Sequence, residues 1–248
     1  MYVKIIDHMG DDLSGVNAAR VSFDKESAAQ DNEYTDVKYD SWSSSIPVLK
    51  ESDKKLINYL GKHNHWSPFG HCQLQFRIKA PVFVARQLVK HQVGLTWNEI
   101  SRRYVDIEPE FYTPEVWRGV AENKKQGSSD IEIDINPPNL KSYSSGSSSS
   151  EKYSAEYFRD DYQRALQTAK WTYEQLLKKG VAPEQARMVL PQSMMTEWYW
   201  SGTLYAFARV CNLRCKDDAQ KETQNVGWGI DKCARKLFPA SWQALRDA

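Results

Sequence analysis

The chain has 248 residues, 41% of them apolar and 12% aromatic, enough to close a sizeable core as one large domain or two small ones. Its 33 basic and 32 acidic residues leave a net charge of +1, so global charge drives neither nucleic-acid wrapping nor adsorption to a membrane. No apolar run reaches membrane-spanning length, and MYVKIIDHMGDD lacks the features of a signal peptide. Cys72, Cys211, Cys215 and Cys233 form no CxxC pair, which fits free thiols in a reducing cytoplasm.

In chain order, YVKIID predicts a short strand, and DDLSGVNAARVSF a helical turn capped by Asp or Ser. Residues 24–50 are polar and irregular, and predict a surface insertion. A helix over about 51–63 follows, carrying Leu56, Ile57 and Leu60. HCQLQFRIK then alternates: Cys72, Leu74, Phe76 and Ile78 face one way, and Gln73, Gln75, Arg77 and Lys79 the other. That is the pattern of a half-buried strand. Pro81 suits the first turn of a helix running to about Gln92. Such a helix gathers Phe83, Arg86, Gln87, Lys90 and His91 on one face and turns Val84, Ala85 and Leu88 toward the sheet.

Residues 119–150, ending in SYSSGSSSS, cannot bury a core and predict a second polar insertion in the form of a mobile loop. A long helix over about 152–179 stops at Gly180, and PEQARMVLP is a short helix between two prolines. QSMMTEWYW fits a strand or part of a helix. Helices over about 203–213 and 217–237, and a short one near the end, complete a single domain spanning 1–248.

The densest chemistry lies in RQLVKHQVGLTWNEISRRY, residues 86–104. Four cations (Arg86, Lys90, Arg102, Arg103) stand against one carboxylate, Glu99, in an otherwise neutral chain. Gln87, Gln92, Asn98, Ser101 and Tyr104 add directional hydrogen-bonding groups. The combination suits a small anion that must be oriented, such as a nucleotide; a solvated basic face is the plain alternative. If the segment is extended, Glu99, Ser101 and Arg103 share one side and could grip a sugar, a base edge and a phosphate, or simply form an edge-strand salt bridge.

Neither GxGxxG nor GxxxxGK[ST] occurs, so phosphates would be held by Arg, Lys and helix N-termini. His63, His65, His71 and Cys72 are close in sequence, but the strand alternation sends His71 and Cys72 to opposite faces, and a metal site is not expected. Arg187 in ARMVLP and Arg214 in CNLRC each sit in an apolar setting and need an anionic partner, a protein carboxylate or a ligand phosphate.

KHQVGLTWNEISRRY resembles the RHRxxSxNExSxRY signature of the flavin-dependent thymidylate synthases. The resemblance extends to MGDDLSGVNAARVSF, KHNHWSPFGHCQLQFRIKAPVFVARQ, EFYTP, ARMVLP, TEWYW and NLR. It implies an α/β fold of the α+β type, with a twisted, mainly antiparallel sheet flanked by helices, in a homotetramer with active sites between subunits. The reaction implied is methylation of dUMP to dTMP. Methylenetetrahydrofolate supplies the carbon and NADPH-reduced FAD the hydride, with no cysteine nucleophile.

By the same resemblance, Gln87, Lys90, Glu99, Ser101, Arg102, Arg103, Arg187 and Arg214 bind dUMP, with Arg214 and Ser101 closest to catalysis. Ser67, Lys90, His91, Gln92, Glu99, Thr203 and Arg209 contact FAD, and His65 and Tyr104 line the folate and flavin pocket. Lys90 and Gln92 stand where the signature has arginines. The implied partners are dUMP, folate, NADPH and further copies of the chain, with no nucleic acid, membrane or metal. A nucleic-acid-binding surface over 86–104 and a relative that binds without turnover are the rival readings.

Overall fold

In the computed structural model of the chain, residues 1–40, 42–105, 107–122, 127–133 and 156–247 are described. The serine-rich tract at 141–150 lies outside them. The elements in order are β1 (Tyr2–Met9), α1 (Asp12–Arg20), β2 (Tyr34–Lys38), β3 (Ser43–Pro47), α2 (Glu51–Lys62), α3 (Ser67–Gly70), β4 (Gln73–Pro81) and α4 (Val82–Leu88). Then come β5 (Leu95–Glu99), β6 (Arg118–Val120), β7 (Ser128–Glu132), α5 (Glu156–Lys178), α6 (Pro183–Ala186), β8 (Met195–Thr203), α7 (Leu204–Arg214), α8 (Lys221–Leu237) and α9 (Pro239–Arg246). They fall into two compact units: Met1–Ala80 with Val84–Glu99 and Thr196–Ala248, and Pro81–Phe83 with Ile100–Met195.

A four-stranded sheet in the order β1-β4-β8-β5 organises the first unit, with β1 antiparallel to β4 and β5 antiparallel to β8. The alternation read in the sequence sets its inner face. Cys72, Leu74, Phe76 and Ile78 are buried, while Gln73 and Arg77 are exposed and Gln75 and Lys79 half-buried on the other face. β8 resolves the ambiguous QSMMTEWYW as a strand, burying Thr196, Trp198 and Trp200 on alternate positions. The rings pack edge-to-face: Phe76 on Phe207 at 5.1 Å and Trp200 on Phe207 at 5.3 Å, while Trp97 stacks on Trp198 at 4.4 Å.

Helix α1 starts with a capping box in which Asp11 accepts from the Ser14 amide and the Ser14 hydroxyl accepts from the Asp11 amide. Its next residue, Asp12, is buried and caps α9 by accepting from the amides of Ala240 and Ser241, both at 2.8 Å. Burial pushes the Asp12 carboxyl above its usual range, against those hydrogen bonds.

The polar stretch 24–50 is not irregular: β2 and β3 form an antiparallel hairpin whose Val37 and Ile46 are buried, with Ala29 and Leu49 beside them. Helix α4 ends at Leu88, not Gln92, because the His91 amide turns back to the Leu88 carbonyl and the chain reverses through Gly94 at φ +75°. Strand β5 stops at Glu99 and residues 102–104 form a turn, so Glu99, Ser101 and Arg103 do not share a strand face.

The stretch 119–150, expected to be a loop, is partly strand where it is described: in the second unit β6 pairs with β7, while Phe111 bridges Met194 and the Tyr162 hydroxyl of α5 donates to the Tyr112 carbonyl at 2.8 Å. Leu166, Tyr173 and Ala186 are buried there. Helix α5 ends at Lys178, and Gly180, where the sequence expects the stop, follows it in the closing turn at φ +82°. Among the described residues no helix is long and apolar enough to cross a membrane.

Candidate active site

In the first unit the site is built where α4 runs into β5 and where α7 ends. Truncating α4 at Leu88 leaves Lys90, His91 and Gln92 on the connecting turn, with Lys90 and Gln92 exposed and His91 half-buried. Arg214 is the last residue of α7, a position at which the helix dipole favours a cation. Its Nε–H donates to His91 Nε2 at 3.0 Å, joining two residues 123 positions apart. The imidazole must therefore be neutral. Its pKa is lowered to about 4, first by burial and then by the charges of Arg214 and Arg209.

Burial alone lowers the pKa of Arg214. Of the two anionic partners the sequence suggests for this arginine, no protein carboxylate is found among the described residues; a neutral ring holds it there. Arg209, exposed on the same helix, lies over the Tyr205 ring at 6.0 Å. The charges of two guanidiniums thus bear on one uncharged imidazole, and no carboxylate pairs with either among the described residues.

Glu99, at the end of β5, is fixed by two donors. The buried Thr196 hydroxyl donates to Oε1 at 2.6 Å and the Trp97 indole N–H to Oε2 at 3.2 Å. Gln87 gives its Oε1 to the hydroxyl of Thr223, which is buried on α8, so its amide N–H groups remain available. Thr203 accepts from the Ala206 amide at 3.1 Å and so serves as the N-cap of α7. His65 and Ser67 are exposed on either side of Trp66, with the His65 ring 5.9 Å from Tyr59 and 6.3 Å from His63. Thr196, Trp97 and Thr223 are additions: Trp97 lies within the KHQVGLTWNEISRRY block and Thr196 within TEWYW, but neither was singled out, and no motif marked Thr223.

In the second unit, Arg103 pairs with Glu184 of α6 at 3.3 Å and lies over the Tyr104 ring at 5.4 Å. Arg187, the C-cap residue of α6, is exposed, not semi-buried as its apolar neighbours suggested. Arg102 spends its guanidinium on backbone carbonyls, those of Ile107 and, at 3.5 Å, Glu108. The Ser101 hydroxyl accepts from the Arg103 amide at 3.3 Å, and no base stands beside it among the described residues.

The cysteines are poorly placed for nucleophilic work. Cys72 is fully buried, donates to the Asp11 carbonyl, and has its thiol pushed up to about 12 by burial. Cys211 is raised by burial, and Cys215, although lowered by the Cys211 thiol, is itself buried. Among the described residues no group of three His, Cys, Asp or Glu side chains could hold a metal. Two cavities of about 720 and 640 Å³ open in the first unit, one beside the β2–β3 hairpin and the other beside β1, and neither is lined by a residue named above as a site candidate.

The sequence model of the family described as thymidylate synthase complementing protein matches residues 4–240. A flavin-dependent thymidylate synthase of Thermus thermophilus is 33% identical over 246 residues, covering 99% of this chain and 76% of that protein. One from Kosmotoga olearia is 34% identical over 245 residues, covering 98% and 89%. Among solved structures, the UMP/dUMP methylase PolB of Streptomyces cacaoi, bound with 5-Br dUMP, superposes with a TM-score of 0.71 at 27% identity, covering 99% of this chain and 94% of that one. With a family match over nearly its whole length and relatives of this kind at a third identity, the chain belongs to the flavin-dependent thymidylate synthases.

Proposed function

We propose that the chain methylates dUMP to dTMP, taking the carbon from methylenetetrahydrofolate and the reducing equivalents from NADPH through FAD. The observation that carries this reading is the half-buried Arg214, held by a neutral imidazole with its charge uncompensated. A guanidinium so placed favours a ligand that is anionic or becomes electron-rich as it reacts. The buried, raised thiol of Cys72 supports a route without a cysteine nucleophile.

The residues fit a flavin dinucleotide. Lys90, Gln92 and Arg209 are exposed, their side chains donate to no described residue, and a diphosphate accepts from such groups. When bound, FAD supplies the hydride chemistry. This chain's part is to bind and orient: Lys90, Gln92 and Arg209 at the cofactor, Gln87, Glu99, Ser101, Arg103 and Arg187 at the nucleotide, and Arg214 at the pyrimidine. Ser67, His91 and Thr203 at the cofactor, Arg102 at the nucleotide, and His65 and Tyr104 in the folate and flavin pocket complete the assignment. Ser101 would position the substrate, having no base to activate it.

The same reading takes 1–248 as one functional domain, since the family match runs through both units, and takes the working form as a homotetramer in a reducing cytoplasm. Purified protein is expected to be yellow, and to form dTMP from dUMP only with methylenetetrahydrofolate, NADPH and FAD together. Because the structural neighbour is a UMP/dUMP methylase, UMP is assayed beside dUMP. Arg214→Ala should lower turnover by at least about 100-fold while the melting temperature stays within a few degrees. Colourless protein that stays inactive with added FAD sinks the proposal, as does tight nucleic-acid binding with a steep salt slope and no turnover.

A further inference from the structure

We propose that His91 is the positioning residue of Arg214: its neutral imidazole accepts the Arg214 Nε–H at Nε2 and fixes the guanidinium without reducing its charge. This rests on the dUMP-methylating reading and adds to it a role for His91 beyond the flavin contact that resemblance implies.

Arg Nε–H can only donate, so at 3.0 Å the facing ring nitrogen must present its lone pair. The ring proton then sits on Nδ1. The groups that face His91 are Arg214 and Arg209, both on α7, with exposed Lys90 preceding it in the chain. All are cations, so each favours the uncharged ring, and burial adds to them; the pKa of about 4 is consistent with this geometry.

A carboxylate in the same place would hold Arg214 as firmly, but it would compensate the charge that the substrate is meant to meet. A neutral acceptor orients one edge of the fork and leaves both Nη nitrogens without a partner among the described residues. Short, directed hydrogen bonds behind a catalytic group act in this way in many sites, where displacement of about 1 Å can cost ~100-fold.

Two variants separate positioning from bulk. In His91→Gln the side-chain oxygen can accept the Nε–H; in His91→Leu nothing can. The expected result is a fall in kcat of about 10- to 100-fold for His91→Leu and recovery to within about fivefold of wild type for His91→Gln, with FAD bound in both. A His91→Leu enzyme with wild-type kcat overturns the proposal, as does His91→Gln no faster than His91→Leu when both hold FAD.

A second measurement needs neither turnover nor a folded variant at position 91. Nitrogen-15 spectra of labelled histidine in the wild-type protein should place the proton of His91 on Nδ1. In Arg214→Ala, which removes one facing cation, the His91 titration should rise by at least about half a unit. A proton on Nε2, or an unmoved titration, ends the proposal even if dTMP formation is intact. Absent dTMP formation with the expected spectra instead counts against the reaction and leaves the contact standing.

Discussion

Glu99 is an exposed carboxylate that nevertheless has a fixed direction, because the Thr196 hydroxyl and the Trp97 indole each hold one oxygen. Thr196→Val keeps the shape of the buried side chain and deletes the donor. Water can replace the lost bond at an exposed carboxylate, so stability should change by less than about 1 kcal/mol. Orientation has no such substitute, and kcat/KM for dUMP should fall about tenfold; an unchanged value would show that Glu99 needs no support from β8. His91 links the site to stability. An unfolded imidazole titrates at ~6.5, and burial and the neighbouring cations lower the folded one to about 4. Between those values the unfolded chain binds a proton that the native chain does not, so stability should drop as pH falls from about 6.5 toward about 4 and level off below. Because the ring is half-exposed, water screens part of the effect, and we expect ~1 kcal/mol, absent in His91→Gln. Urea titrations at pH 7 and pH 5 on both proteins measure it.

At the scale of elements, the pairing of β5 with β8 is set by a glycine. Gly202 lies opposite Leu95, and a Cβ there would come within 2.4 Å of the Gly94 carbonyl oxygen and 2.6 Å of the Leu95 side chain. The first obstacle is backbone, which cannot swing aside. Gly202→Ala should cost about 2–3 kcal/mol in urea unfolding and displace the Lys90–Gln92 turn; a variant with wild-type stability and FAD affinity would mean that the strand end shifts freely. The sequence made β4 and the limits of α2 plain because each has one wet and one dry face. It left β8 undecided because Trp198, Tyr199 and Trp200 are successive aromatics, and the exposed Tyr199 looks as apolar as its buried neighbours. The β2–β3 hairpin escaped notice for the opposite reason: a few buried side chains are scattered among polar residues. In the candidate site, the basic run and its polar partners were visible as neighbours in the chain. The contacts His91–Arg214 and Gln87–Thr223 were not, since 123 and 136 residues separate the partners and no local pattern encodes the pairing.

A net charge of +1 conceals a local excess of cations over residues 86–104. We propose a homotetramer in which one chain's Arg214 serves with another chain's Arg103, and the genetics of mixed oligomers can test that sharing directly. Arg214→Ala and Arg103→Ala are each expected to be inactive alone. If both arginines of a site came from one chain, every site in a mixture of the two variants would carry one defect, and mixing would restore nothing. If they come from different chains, an oligomer holding both variants contains some sites with neither defect. Random reassembly of symmetric oligomers would then return about a quarter of the wild-type activity. Differently tagged variants, dissociated and reassembled together, establish that mixed oligomers form, and light scattering should give four copies per particle. Mixed particles of that mass with no regained turnover would place both arginines of each site in the same chain, leaving the symmetry in place but removing the exchange of side chains across it.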